Sequence, residues 1–225
     1  MKTAVVTGAS SGIGAATVRR LLSDGWHVIG LSRRDPHFDD ARFSWTPVDL
    51  ADFDRLRSHA GGIGAVDAVV HAAGLQRSAP LGALKVDDGV EMWRIHVAAA
   101  EVLIDALVER IRDGGRVVLV GSRTMAGNAG KSQYAATKSA LTGMARSWAA
   151  ELVDRSITVN VVAPGPTDTP MLADPARRST PVKLPPMGRL IDPDEVAGLI
   201  SFLLGPHGRN ITGQAIVQCA GASLP

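Results

Sequence analysis

The chain contains a single tyrosine, and the residues around it are suited to proton transfer. Tyr134 and Lys138 are four residues apart in a stretch of helical spacing, so they are neighbours on one helix face. A free phenol has a pKa of about 10, and a lysine cation beside it lowers that value by favouring the phenolate. Tyr134 can then donate a proton to a carbonyl oxygen or accept one in reverse. Alone, such a pair is usually a surface pair, but here Ser122 ends the preceding apolar strand and can hydrogen-bond the same oxygen.

A glycine-rich turn, TGASSGIG at residues 7–14, follows the first predicted strand and opens the first predicted helix. Gly8 permits a tight turn, Gly12 lets a pyrophosphate approach the backbone, and Gly14 lets the helix pack against the sheet. The free N–H groups and the positive end of the helix dipole favour phosphate. The spacing is GxxxGxG rather than the usual dinucleotide pattern, and an ordinary structural turn is the alternative.

The end of the second predicted strand favours NADP(H) over NAD(H). An Asp or Glu at this point binds the ribose 2′-hydroxyl of NAD, but this chain has Ser32, Arg33 and Arg34 instead. Guanidinium groups pair with phosphate oxygens, and no carboxylate repels a 2′-phosphate. The alternative is that both arginines are solvated surface residues.

Short apolar runs alternate with helical stretches, which predicts an α/β fold: one Rossmann-like, doubly wound domain spanning residues 1–225, with a seven-stranded parallel sheet. The predicted strands are Thr3–Thr7, His27–Leu31, Phe43–Val48, Asp67–His71, Arg116–Gly121, Ile157–Val162 and Gln214–Gln218. The predicted helices are Gly12–Asp24, Asp52–Ala60, Asp87–Arg112, Ser132–Asp154 and Asp192–Leu204.

A proline-rich connection between Pro164 and Arg189 interrupts this alternation, and residues of about 166–189 are predicted to close over a substrate. A surface excursion without function is the alternative. Arg123, beside Ser122, and Arg177, Arg178 and Lys183 can meet an anionic substrate group such as a carboxylate or phosphopantetheine. Solvated charges are the usual explanation of loop arginines.

Composition excludes several classes of function. The 225 residues carry a net charge of +2 with no dense basic run, and only 4% are aromatic, so nucleic acid is not an expected partner. No apolar run is long enough for a membrane helix, and no signal peptide is recognisable. The lone Cys219 fits a reducing compartment, and the cytoplasm is expected. No residues have metal-ligand spacing, so no metal is predicted.

These motifs resemble the short-chain dehydrogenase/reductase family, particularly the group that includes 3-oxoacyl carrier-protein reductases, and the resemblance covers nearly the whole chain. It rests on these motifs: TGASSGIG at 7–14, Asp49-Leu50, the His71-Ala72-Ala73-Gly74 strand end, Ser122, Tyr134 to Lys138, Asn160, Pro164-Gly165, Thr169 and Ile211 to Gln214. The family implies reversible, NAD(P)-dependent interconversion of a carbonyl and an alcohol. Tyr134 would be the acid and base, Lys138 would lower its pKa and hold the nicotinamide ribose, and Ser122 would orient the substrate oxygen.

The resemblance also implies a set of cofactor-binding residues. Asp49 would accept a hydrogen bond from the adenine amine, Leu50 would contact the adenine, and Arg33 lies where NADP-preferring members have a basic residue. The expected set is Gly8, Ser10, Ser11, Gly12, Ile13, Gly14, Ser32, Arg33, Arg34, Asp49, Leu50, Ala73, Gly74, Pro164, Gly165, Thr167 and Thr169.

The chain departs from the family in its middle helix, where His96 replaces an asparagine that supports a proton path to the lysine. A neutral imidazole that bonds a carbonyl and a water would preserve the relay, and a histidine that is merely satisfied in a helix–sheet contact is the alternative. Ser122 and Tyr134 are twelve positions apart, and the loop between them is expected to shape the substrate pocket. Arg123, Met125 and Gln133 are the candidate substrate contacts in this loop.

Three other interpretations remain. The first is a non-catalytic NADP-binding sensor or regulator, and the second is an NAD-dependent alcohol dehydrogenase. The third, an enoyl reductase or a dehalogenase, is disfavoured, because the related enoyl reductases space Tyr and Lys more widely and the related dehalogenases have Arg at the Lys position. Small residues on the two long central helices, together with the family resemblance, predict a homotetramer or homodimer.

Overall fold

Seven parallel strands form one sheet in the computed structural model, which describes residues 1–177, 180–181 and 183–224. The strand order is β3-β2-β1-β4-β5-β6-β7, so the predicted α/β fold with a seven-stranded parallel sheet is confirmed. The strands are β1 (Thr3–Thr7), β2 (His27–Ser32), β3 (Phe43–Pro47), β4 (Val66–His71), β5 (Ile111–Val120), β6 (Thr158–Pro164) and β7 (Ala215–Gln218).

Helices cover both faces of the sheet. They are α1 (Gly12–Ser23), α2 (Phe53–Gly62), α3 (Val86–Trp93), α4 (Ala99–Leu107), α5 (Ser132–Leu152) and α6 (Pro193–Leu204). Alternate residues of a strand point to opposite faces, so Val5 of β1 packs with α2, α4 and α5 whereas Val6 packs with α1 and α6. In the part of the chain that the structure describes, no helix combines the length and apolarity needed to cross a bilayer.

The middle helix differs from the continuous helix predicted over Asp87–Arg112. α3 passes into a π-helical segment, Arg94–Ala98, before α4 begins, and a 3-10 turn follows α4. Ile111, predicted to be helical, begins β5 and pairs with Val66 of β4. It is fully buried, so strand pairing rather than helix continuation gives it a place in the core.

His71 ties three elements together at the end of β4. Its Nδ1 lies 3.0 Å from Thr7 Oγ1 at the end of β1, and its Nε2 lies 3.0 Å from the Ile95 carbonyl oxygen in the π-helical segment. Thr7 Oγ1 also accepts hydrogen bonds from the N–H groups of Ala72 and Ala73. Because Nε2 faces a carbonyl oxygen, it carries the proton, so the Thr7 hydroxyl is the donor to Nδ1 and the imidazole anchors the strand end.

His96, within the π-helical segment, connects this segment to α5. Its Nε2 accepts a hydrogen bond of 3.1 Å from the N–H of Leu75, so Nδ1 carries the proton and donates to Thr137 Oγ1 at 2.8 Å. Thr137 in turn donates to the carbonyl oxygen of Tyr134 at 2.9 Å. The His96 ring also meets the ring of Tyr134 edge to face, at 5.6 Å between centroids. This chain of contacts fixes the first turn of α5.

The burial of His71 predicts a pH-dependent stability. Burial and the Lys138 charge lower the pKa of His71 from 6.5 to about 4. The unfolded chain therefore binds more protons between pH 6.5 and pH 4, so stability falls as the pH falls through that window. We expect the free energy of unfolding, measured by urea denaturation, to be about 2 kcal/mol lower at pH 5 than at pH 8 from His71 alone.

His71→Asn should remove this part of the pH dependence. His59→Asn, at an exposed position on α2, should keep it and serves as the control. His96, whose pKa is also lowered by burial, contributes in the same direction and remains in both variants. An unchanged slope in His71→Asn would contradict the assignment.

The second prediction concerns the bond between His96 and Thr137. Thr137→Val keeps the shape of the side chain but leaves the buried Nδ1–H of His96 without an acceptor, so we expect a loss of about 1–3 kcal/mol in the free energy of unfolding. Thr142→Val, on the same helix, removes only a 3.6 Å contact with the Met125 sulfur and should change stability by much less. Equal losses in the two variants would show that the hydrogen bond is unimportant.

Candidate active site

A cavity of about 600 Å³ opens at the edge where the parallel strands end. The loops that follow β1, β4, β5 and β6 meet there because the carboxyl ends of parallel strands lie at one edge of a sheet. The predicted site residues on its wall are Gly8, Ser11, Gly12, Ile13, Ala73, Gly74, Ser122, Arg123, Tyr134, Lys138, Pro164, Gly165, Thr167 and Thr169.

Three side chains meet on the wall of this cavity. Ser122 begins a 3-10 turn after β5, and its Oγ accepts a bond of 3.2 Å from the N–H of Thr124 and lies 2.9 Å from Thr124 Oγ1. Tyr134 and Lys138 project from the first turns of α5 and are 7% and 3% exposed. Lys138 Nζ donates to the carbonyl oxygen of Val120 at 2.8 Å and lies 6.0 Å from the centroid of the Tyr134 ring.

The electrostatics of the pair differ from the expectation. Burial raises the pKa of Tyr134, although a hydrogen bond with Ser122 and the charge of Arg177 act to lower it. Burial also lowers the pKa of Lys138 to about 7, so the ammonium is only partly charged at neutral pH. The expected lowering of the Tyr134 pKa by Lys138 is therefore wrong for this geometry, in which Nζ is bonded to a main-chain carbonyl.

The glycine turn has the geometry that a phosphate requires. Gly8 and Gly12 have φ values of +69° and +54°, and a Cβ on Gly14 would lie 2.2 Å from the Gly8 carbonyl oxygen. The start of α1 therefore lies so close to the end of β1 that any side chain at position 14 would clash with the backbone. Ser11 precedes the helix and its side chain does not cap it, so the first N–H groups of α1 face the cavity without that partner. These residues fit a pyrophosphate.

Two exposed cationic side chains follow the carboxyl end of β2. Arg33 and Arg34 follow β2, are exposed, and have neither an ion pair nor a side-chain hydrogen bond with another described residue. Ser32 differs from them, because its hydroxyl donates to the Arg34 carbonyl at 2.8 Å and lies 3.1 Å from Trp45 Nε1. Asp49 follows β3 and accepts from the N–H of Ala51, beside the buried Leu50.

Of the predicted cofactor-binding residues, seven do not line the cavity: Ser10, Gly14, Ser32, Arg33, Arg34, Asp49 and Leu50. Three candidate catalytic or substrate residues do not reach its wall either. Both ring nitrogens of His96 are satisfied by Leu75 and Thr137, so the relay expected of this residue lacks a nitrogen for water. The side-chain amide of Gln133 donates to the Lys85 carbonyl at 2.8 Å and packs against Gly89 of α3. The Met125 sulfur contacts Thr142 on α5. These contacts hold the three side chains against neighbouring helices. Arg178 lies outside the described residues.

The cavity also contains residues that the sequence did not indicate, among them Gln76, Thr124, Asn128 and Lys131. Lys131 immediately precedes α5 and lies three positions before Tyr134. This spacing in the sequence could have identified Lys131 as a residue of the same site. Arg177 and Lys183 of the proline-rich connection line the cavity as well. Among the described residues, no cluster of His, Cys, Asp or Glu could hold a metal ion.

Comparison with known proteins connects this geometry to a family. The family model described as "Enoyl-(Acyl carrier protein) reductase" matches residues 8–223. The cyclic-di-GMP-binding biofilm dispersal mediator protein of Escherichia coli K12 is 35% identical, over 94% of this chain and 93% of that protein. The 3-oxoacyl-[acyl-carrier-protein] reductase FabG of Vibrio harveyi is 33% identical, over 96% and 94%.

A solved structure agrees with the sequence comparisons. The blue fluorescent protein from a metagenomic library, in complex with NADPH, superposes with a TM-score of 0.87 at 35% identity over 99% of this chain and 98% of that one. The glycine turn, the parallel sheet and the Ser, Tyr and Lys side chains thus occur together with homology along almost the full length. The chain belongs to the short-chain dehydrogenase/reductase family.

Proposed function

We propose that this protein is an NADP(H)-dependent oxidoreductase that interconverts a ketone and a secondary alcohol. The observation that carries the proposal is the meeting of Ser122, Tyr134 and Lys138 on one cavity wall, opposite a glycine turn that fits a pyrophosphate. The fold alone would not support an oxidoreductase function, because this fold hosts unrelated functions.

The mechanism assigns a separate task to each side chain. Because burial raises the pKa of Tyr134, the phenol keeps its proton at neutral pH and is ready to donate it to a carbonyl oxygen. Ser122 orients that oxygen through a second hydrogen bond. A bound NADPH supplies the hydride. Lys138 holds positive charge near the phenol, and its pKa of about 7 makes that charge depend on pH in the physiological range.

The preference for NADP(H) rests on Arg33 and Arg34. Both guanidinium groups are exposed at the end of β2, where neither has an ion-pair partner among the described residues. A 2′-phosphate provides the acceptors that these donors lack. The relative with known NADPH binding supports the same choice, since its solved structure contains NADPH. NAD(H) is the less favoured cofactor.

Other parts of the proposal extend beyond the cavity. The chain forms one domain whose loop at about 166–189 closes over the substrate. Two copies or four associate through the outer face of α4 and α5, where Val102 and Trp148 line a groove. A reducing compartment such as the cytoplasm is consistent with the single Cys219.

A second candidate function is that of a nucleotide-binding regulator without turnover. One observation favours it: a 35% identical relative is named as a cyclic-di-GMP-binding biofilm dispersal mediator. Calorimetric titration of cyclic di-GMP into this protein, with NADPH present and absent, separates the candidates. Binding without turnover of any ketone supports the regulator, and turnover that requires Tyr134 supports the enzyme.

Tyr134→Phe tests the catalytic assignment. Loss of the phenolic proton should lower kcat for ketone reduction by at least about 100-fold, followed as the loss of NADPH absorbance. The Kd for NADPH should stay unchanged, because the ring remains in place. Ser132→Ala, at the exposed start of α5, is the control and should keep full activity. Undiminished turnover in Tyr134→Phe would contradict the mechanism.

Arg33→Ala tests the cofactor preference. A charge-assisted hydrogen bond contributes about 1.5–3 kcal/mol, so we expect the Kd for NADPH to rise about tenfold or more while the Kd for NADH stays constant. Arg34→Ala, measured alongside, shows which guanidinium dominates. Arg209→Ala removes an exposed arginine at the opposite edge of the sheet and should change neither constant. An unaltered NADPH to NADH ratio in both Arg33→Ala and Arg34→Ala would refute the assignment.

A further inference from the structure

The cavity wall carries an excess of positive charge. Beyond Lys138, four cationic residues line it, and no Asp or Glu is among the described residues on its wall. The four are Arg123, Lys131, Arg177 and Lys183. They come from the loop before α5 and from the connection after β6, whereas the glycine turn lies on the other side. Like charges gathered in one cavity repel each other, and an anion that binds among them offsets this repulsion.

Arg177 provides the most specific observation. It is only 6% exposed, its Nε has no hydrogen-bond partner in the described structure, and its terminal nitrogen reaches only the Met171 carbonyl at 3.4 Å. A buried guanidinium donor without an acceptor is unfavourable, because it has lost its hydrogen bonds to water and gained none within the protein. The carboxylate of Asp174 attracts Arg177, but it also pairs with Arg77 at 3.4 Å. The charge of Arg177 is therefore only partly balanced by the polypeptide.

Two neighbouring cations, Lys131 and Arg123, also favour an anion at this place. Lys131 lies one residue before α5, and burial, followed by the charges of Arg177 and Arg123, lowers its pKa to about 8. All three side chains line the same cavity, so an anion bound there would lie among them. Tyr134 lines the same cavity as these cations, and the charge of Arg177 acts to lower the pKa of Tyr134.

We propose that the ketone or alcohol substrate carries an anionic oxygen group, a carboxylate or a phosphate ester, that accepts a hydrogen bond from Arg177 Nε with Arg123 and Lys131 beside it. This inference rests on the proposed reductase function and specifies its substrate class. The planar guanidinium suits either oxyanion, because both offer two acceptors in one plane. Neutral ketones leave the buried donor unsatisfied and are poorer substrates.

The experiment compares acids with their uncharged esters on the whole protein with NADPH. The probes are five-carbon 2-oxo, 3-oxo and 4-oxo acids, each beside its methyl ester, and dihydroxyacetone phosphate beside dihydroxyacetone. We expect the wild type to have at least tenfold higher kcat/KM for one anionic probe than for its neutral partner. Preference within the oxo acids identifies a carboxylate, and preference for the phosphate ester identifies a phosphate.

Variants of Arg177 assign the preference to this residue. Arg177→Met should lower kcat/KM for the preferred anion by at least about tenfold more than kcat/KM for its neutral partner, and should leave the Kd for NADPH unchanged. Arg177→Lys keeps the charge without the planar fork and should lie in between. Arg189→Met is the control, since this exposed arginine belongs to the same connection but pairs with Glu195 at 2.7 Å. A weakened Kd for NADPH in Arg177→Met would overturn the proposal by assigning Arg177 to the cofactor.

Stability separates a binding role from a structural one. Because Nε has no partner in the described structure, Arg177→Met should unfold at the same urea concentration as the wild type or a higher one. Destabilisation of both Arg177→Met and Arg177→Lys, without a change in substrate preference, would show that the residue is structural and refute the proposal.

Calorimetry distinguishes failure of this inference from failure of the proposed function. If no probe is turned over, titration of the same acids and phosphate ester into the NADPH-loaded protein still measures binding. Binding that is weakened in Arg177→Met supports the anion site even when the reductase proposal fails. The inference is overturned if the anionic probes are neither bound nor turned over, or if acids and their esters have equal kcat/KM. Turnover of neutral ketones alone would leave the reductase function intact.

Discussion

The parallel register of β1, β4, β5 and β6 is the constraint on which the site depends. Thr7 pairs with His71, His71 with Leu119, and Val120 with Val162, so these strands end at one level. The glycine turn, the β4 loop and Ser122 are thereby brought to the same edge from positions far apart in sequence. Close contact between Gly14 and the Gly8 carbonyl then directs the start of α1 towards the same place.

The two buried histidines connect these strand ends to α5. His71 joins the ends of β1 and β4 to the π-helical segment, and His96 joins that segment to Thr137 and hence to the first turn of α5. Tyr134 therefore takes its position from a network of two buried imidazoles. Both rings act as positioning groups, and neither lines the cavity in the described structure.

Local patterns predicted much of this architecture. All seven strands were found, and Thr3–Thr7 has the predicted bounds, because apolar β-branched runs and glycine turns are encoded over a few residues. Long-range contacts explain the errors: β5 begins at Ile111 because that residue pairs with Val66, and Gln133 turns away because the Lys85 carbonyl is within reach. The balance of pKa effects at Tyr134 depends on burial, which spacing alone does not report.

The sheet order has a consequence for how the chain acquires its structure. β1 lies between β2 and β4, so the bond between Thr7 and His71 forms only after more than sixty residues have followed β1. β6 in turn keeps an open edge until β7, the last strand, arrives at residues 215–218. Non-local pairing of this kind slows folding and leaves unpaired strand edges exposed to other chains. During synthesis on the ribosome, the edge of β6 therefore stays open to pairing with other chains until β7 has emerged.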